Sequence, residues 1–134
     1  MKKLAIAYAA TLIAFLLFDA LWLSAMSGRI YRPAMGNMLL DGFRPAPALL
    51  FYLIYVAALV HFGVRPGLSD GAAATVINSA LFGLAAYATY DLTNQATLKN
   101  WSTLLTLTDL AWGATVSALS ASVGRAVAIW AAGR

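Results

Sequence analysis

The chain has 134 residues, 62% of them hydrophobic and only 10% charged, where a soluble domain carries about 25% charged residues, so the protein is integral to a membrane. The net charge of +4 comes from Lys and Arg scattered at loops and ends, in contact with headgroups; with no basic cluster, nucleic acid is excluded as a partner. Cys is absent, which excludes disulfides and thiolate metal sites, and the length holds one domain, residues 1–134.

Lys2 and Lys3 precede an apolar run over about 4–26, long enough to span at about 1.5 Å per residue. It exceeds the usual h-region of a cleaved leader, of about 7–15 residues, and contains Asp19 and Trp22, so it reads as a retained transmembrane helix. Residues 27–45 form the longest polar connection. Its mixture of Arg29, Tyr31 and Arg32 with Met35, Met38, Leu39 and Leu40 suits a short segment lying along the headgroups. Pro45 and Pro47 suit the first turn of a second span over about 46–64, which Arg65-Pro66-Gly67 stops. A tight turn at 69–71 leads to a third span over about 72–92. Its Ser79-xxx-Gly83 spacing lets helices approach closely in lipid. The fourth span runs from about 102 to 123, with Gly113, Ser117 and Ala121 on one face; Arg125 either ends it or snorkels while the helix continues. Four spans with short connections predict an all-α, antiparallel up-down four-helix membrane bundle.

All five acidic residues are Asp, and Asp19, Asp91 and Asp109 fall within or beside apolar runs. A charge in the bilayer costs several kcal/mol, about 2.5–3.5 on insertion scales, so acids there are candidate functional residues. In an antiparallel bundle the three share one leaflet, Asp19 and Asp109 about 10 Å from the span ends at 1.5 Å per residue. Trp22 and Trp112 each follow an Asp by three residues and share its helix face. Tyr87, Tyr90, Asn94 and Trp101 lie at the same level, and the connection after the first span brings Arg29, Tyr31 and Arg32. His61 lies at the opposite face.

Plainer readings exist for several of these. Tyr31, Trp101 and Trp130 fit ordinary interfacial anchors. Asp91 with Asn94 fits a helix terminus, Asp109 a late helix cap, and Arg29 and Arg32 headgroup contacts or ion-pair partners of Asp19 or Asp91. Only Asp19 stands near no loop and no helix start. Three acids at one depth require compensation from Arg, a proton or a cation, and no recognised metal motif is present.

The segments Phe18-Asp-Ala-Leu-Trp22, Tyr31-Arg-Pro33, Ala86-Tyr-Ala-Thr-Tyr-Asp-Leu-Thr-Asn94 and Thr108-Asp-Leu-Ala-Trp-Gly113 resemble a family of small bacterial membrane proteins, domain of unknown function 2177. The resemblance covers nearly the whole chain and implies a four-span inner-membrane protein without a settled activity.

The leading expectation is a pocket in one leaflet for a membrane lipid or small amphiphile. Asp19, Asp91 and Asp109 are its candidate catalytic groups; Trp22, Tyr87, Tyr90, Asn94, Trp112, Arg29 and Arg32 are its candidate binding groups. No metal is assigned, and the pattern identifies no cofactor. Without Cys and with its one His at the far face, the chain offers no nucleophile triad. Alternatives are an accessory subunit docking a membrane protein partner through the Gly113, Ser117 and Ala121 face, and an ion- or proton-coupled transporter, in which a homo-oligomer would supply the pore. Five basic residues (Lys2, Lys3, Arg65, Arg125, Arg134) against four (Arg29, Arg32, Arg44, Lys99) nearly tie, and the first helix, which usually dominates, favours cytoplasmic N- and C-termini.

Overall fold

The computed structural model describes residues 2–38 and 44–133. These residues form helices without strands: α1 (Lys2–Met35), α2 (Pro45–Asp70), α3 (Ala72–Thr97) and α4 (Thr103–Ala132), each long and apolar enough to cross a membrane. They are the four spans the hydropathy pattern predicts. Large apolar side chains such as Ile13, Leu17, Leu21, Ile54, Ile77, Leu81, Leu104 and Leu107 point outward, the arrangement lipid solvates.

The helices run further than their apolar runs. α1 passes through a π turn at Ser27–Tyr31 and stays helical to Met35, and Gly36–Met38 adds a 3-10 turn. Half of the expected headgroup connection is thus a continuation of the first helix, while its Leu39 and Leu40 lie outside the described residues. Arg65-Pro66-Gly67 does not stop α2 either, because a second π turn at Val60–Val64 carries the helix on to Asp70. The two cases share a cause. A proline ring clashes with the carbonyl four residues earlier and has no N–H to offer it. Those carbonyls, of Arg29 for Pro33 and of Phe62 for Pro66, both lie inside the widened turns, where the ladder opens to make room.

Gly71, at φ +103°, supplies the left-handed residue that reverses the chain between α2 and α3. Ser102 caps α4 by accepting from the Leu105 N–H at 3.1 Å. α4 continues past Arg125, whose Nε donates to the Gly67 carbonyl at 2.8 Å and ties the far end of α4 to the end of α2.

Close approach rests on small residues. A Cβ on Gly83 would collide with the Gly113 carbonyl and with Ser117; one on Gly63 would collide with Ser79, and one on Gly124 with Thr11. Helices in lipid lack a hydrophobic drive toward one another and depend on such contact. Gly113, Ser117 and Ala121 are buried against α3 and the core in this way, so the face predicted to dock a partner is occupied within the bundle. α4 packs along α1 and α3, whereas α2 meets α3 and α4 chiefly through its second half, from Val60 onward. The first half of α2 leans mainly on α1 and reaches α3 and α4 through Tyr55, which packs on Phe82 and Tyr87 and bonds Ser117, and a lateral cleft opens beside it.

Candidate functional site

Asp91 stands six residues before the end of α3, and Asp109 six residues after the start of α4, which places both about 9 Å from the loop that joins the helices. That loop is ordered by its own bonds: Leu98 N–H to the Asn94 carbonyl at 2.8 Å, Gln95 to Thr103 at 3.0 Å and Trp101 Nε1 to Thr106 at 2.9 Å. Neither acid takes part in them. Asp91 is no helix terminus and Asp109 no cap, because the ends are already closed by Asn94 and Ser102.

Asp19 is almost fully buried and accepts two hydrogen bonds, from Trp112 Nε1 at 3.1 Å on Oδ1 and from the Tyr52 hydroxyl at 2.5 Å on Oδ2. Asp109 accepts on Oδ1 from the Tyr31 hydroxyl at 2.6 Å, and that hydroxyl in turn accepts from Trp22 Nε1 at 2.8 Å. The Trp22 and Trp112 rings stack with centroids 4.5 Å apart and planes 5° from parallel. Two carboxyls, two tyrosines and two indoles thereby form one network across α1, α2 and α4. Bonds from neutral donors to a carboxylate are strong ones, about 1.5–3 kcal/mol each, and they offset part of the cost of holding acids in the membrane. Among the described residues no Lys or Arg pairs with these acids; Arg29 and Arg32 are exposed.

Asp91 differs from both. Its side chain is fully buried; among the described residues no N–H or hydroxyl donates to its oxygens, and the group that meets them is the Asp109 carboxyl, to which it is hydrogen-bonded.

The cleft beside these groups has a volume of about 310 Å³ and is lined by Phe51, Ala86, Tyr87, Tyr90 and Asp109, at the low end of the ~300–1,000 Å³ of small-molecule sites. Tyr90 and Phe51 are half exposed at its mouth, and Trp101 packs edge-on against Tyr90 at 5.7 Å. Among the described residues no group of three or more acidic or His side chains has the arrangement to hold a metal ion. His61 is exposed on the far half of α2, beside Phe62.

A family model described as predicted membrane protein (DUF2177) matches residues 4–126. The chain belongs to the DUF2177 family. No curated protein and no solved structure matches it.

In this DUF2177 protein the structure brings together Asp19, Asp109, Trp22, Trp112, Tyr87 and Tyr90, with Asp91 behind Asp109. It does not bring Arg29 or Arg32 to the acids, and Asn94 takes part through its backbone in the loop. Two members of the network escape the sequence pattern. Tyr31 reads as an anchor because it falls in a polar stretch, yet the continued helix carries it to Asp109. Tyr52 is one aromatic among many in α2; its depth from Pro45, matched against Asp19 in an antiparallel pair, is the one clue that singles it out.

Proposed function

We propose that this membrane protein binds a lipid or small amphiphile in the cleft between α2, α3 and α4, with its polar head at Asp109 and its chain against Phe51, Ala86 and Tyr87. The observation that carries this reading is the cleft's lining, apolar and aromatic apart from one carboxyl. That is the composition of a small-molecule site with a single orienting group. Asp109 Oδ1 is taken by Tyr31, so its other oxygen is the one that meets a ligand's donor, and the same carboxyl is positioned to give or take a proton should the bound molecule react. Asp19, saturated by Tyr52 and Trp112, holds the wall. We place the protein in the bacterial inner membrane with both termini cytoplasmic, which a reporter fused after Arg134 tests. Mass spectrometry of the protein released from native-lipid nanodiscs tests the binding: wild type carries a stoichiometric amphiphile and Asp109→Asn loses it. A protein that carries none, or an Asp109→Asn variant that keeps its ligand, would sink the proposal.

Proton or ion transfer through the bundle is a second reading, favoured by one observation. Among the described residues Thr11, Ser79 and Ser120 are buried in the other half without hydrogen-bond partners, and Ser117 bonds Tyr55 at 2.7 Å between them and the acids. Hydroxyls at those levels supply polar steps that acids alone do not. Liposome flux unchanged by Asp19→Asn argues against this reading.

A further inference from the structure

The chain has six tyrosines, and four of their hydroxyls are engaged within the bundle. Tyr8 bonds the Leu53 carbonyl, Tyr31 bonds Asp109, Tyr52 bonds Asp19 and Tyr55 bonds Ser117. The other two, Tyr87 and Tyr90, line the cleft beside Asp109. Among the described residues neither of their hydroxyls has a hydrogen-bond partner. The two phenols left over are thus the two at the candidate site, three residues apart on one face of α3.

The charges around the cleft narrow what it accepts. Asp109 is hydrogen-bonded to the buried Asp91 carboxyl, and two carboxyls bond each other through a proton that they share. Asp109 also accepts from Tyr31. The acid pair is held together within the protein without a counter-ion, while Asp109, with about four lone-pair sites, keeps an acceptor open. No Lys, Arg or His stands among the described residues that line the cleft, so an anionic head finds no partner there and meets a carboxyl instead.

We infer that the cleft takes an uncharged amphiphile whose head is a hydroxyl, which donates to Asp109 and accepts from Tyr87 and Tyr90. This rests on the binding proposed above and names the chemical class of the ligand. A hydroxyl has one donor and two acceptor lone pairs, the complement of one carboxyl acceptor and two phenol O–H groups. An ammonium has three donors and no acceptor, so it leaves both phenols unmet. An ether oxygen accepts from the phenols but has nothing to give Asp109.

The test uses the whole protein in phosphatidylcholine nanodiscs, titrated calorimetrically with dodecanol, its methyl ether or dodecylammonium, the partition into empty discs being subtracted. Dodecanol binds wild type more tightly than the ether by about tenfold or more, the worth of one hydrogen bond to a charged group, and the ammonium binds no more tightly than the alcohol. Tyr87→Phe weakens dodecanol binding about fivefold, the worth of one neutral hydrogen bond, whereas Tyr8→Phe leaves it unchanged. Equal binding of alcohol and ether overturns the inference but leaves the cleft a general amphiphile site. Tighter binding of the ammonium overturns it in favour of charge recognition. Wild-type affinity in Tyr87→Phe overturns the role of that phenol. Binding of none of the three probes overturns both this inference and the proposal beneath it. Because the comparison of probes needs only wild type, the test holds even where Tyr87→Phe fails to fold.

Discussion

Trp112 on α4 donates its indole hydrogen bond to Asp19 on α1 and not to Asp109, the acid three residues before it on its own helix. Trp22, three residues after Asp19, serves Asp109 in turn through the Tyr31 hydroxyl. The two Asp-x-x-Trp segments are thus crossed, each indole serving the other helix's acid, and the stacked rings are the crossing point. Crossing makes the pairs a lock between α1 and α4, since neither helix satisfies its own carboxylate.

The lock predicts coupling between the two indoles. Trp22→Ala and Trp112→Ala each destabilise the protein, and the double variant loses less than the two single losses together. The difference is about 0.5–1.5 kcal/mol, the worth of an aromatic pair. Unfolding in mixed micelles measures the cycle; strict additivity would show that the rings do not interact.

Removing a single hydroxyl isolates the acids from the packing. Tyr52→Phe keeps the ring but leaves Oδ2 of Asp19 without its donor, at a cost of about 1.5–3 kcal/mol. Tyr31→Phe does the same to Asp109 and also strands the Trp22 N–H, so its cost is at least as large. Tyr8→Phe is the control: its hydroxyl bonds the Leu53 carbonyl at an exposed position, and its loss costs about 1 kcal/mol or less. The same unfolding assay ranks all three, and equal losses would refute the ranking.

Gly83 and Gly28 give the matching contrast for the backbone. A Cβ at Gly83 meets the Gly113 carbonyl and Ser117, whereas one at Gly28 meets open space. Gly83→Ala forces α3 and α4 apart and costs about 1–3 kcal/mol or more, while Gly28→Ala is neutral or mildly stabilising. Equal stabilities would mean that this contact does not hold the bundle.

The contrast marks what the sequence can convey. Four apolar runs, the Ser79-xxx-Gly83 spacing and the depth of Asp19 and Asp109 follow from a period of 3.6 residues and an antiparallel path, and all are legible. What is not legible depends on where helices stop and which way they lean. Pro33 and Pro66 look like terminators because the usual response to proline is a break; two π turns absorb them here, and so Tyr31 reaches the acids. Arg29 and Arg32 look like the natural counter-charges because Arg commonly pairs Asp, yet tyrosines and indoles take that place. The cleft comes from α2 leaning on α1 in its first half, a matter of three-dimensional packing that no local pattern encodes.

That lean supplies a test that leaves every acid untouched. Ala86 lines the cleft between Phe51 and Tyr87, and its methyl leaves room that a larger side chain would fill. Ala86→Phe adds roughly 100 Å³, about a third of the cavity, at a half-buried position that borders the opening and touches the core from outside, so the bundle tolerates it better than the 1–3 kcal/mol typical of overpacking a dense interior. The expected result is loss of amphiphile from the nanodisc-purified protein with the melting temperature nearly unchanged. Ala86→Ser, of similar size, retains the ligand. If Ala86→Phe binds as wild type does, the ligand does not occupy this cleft, whatever the acids contribute elsewhere.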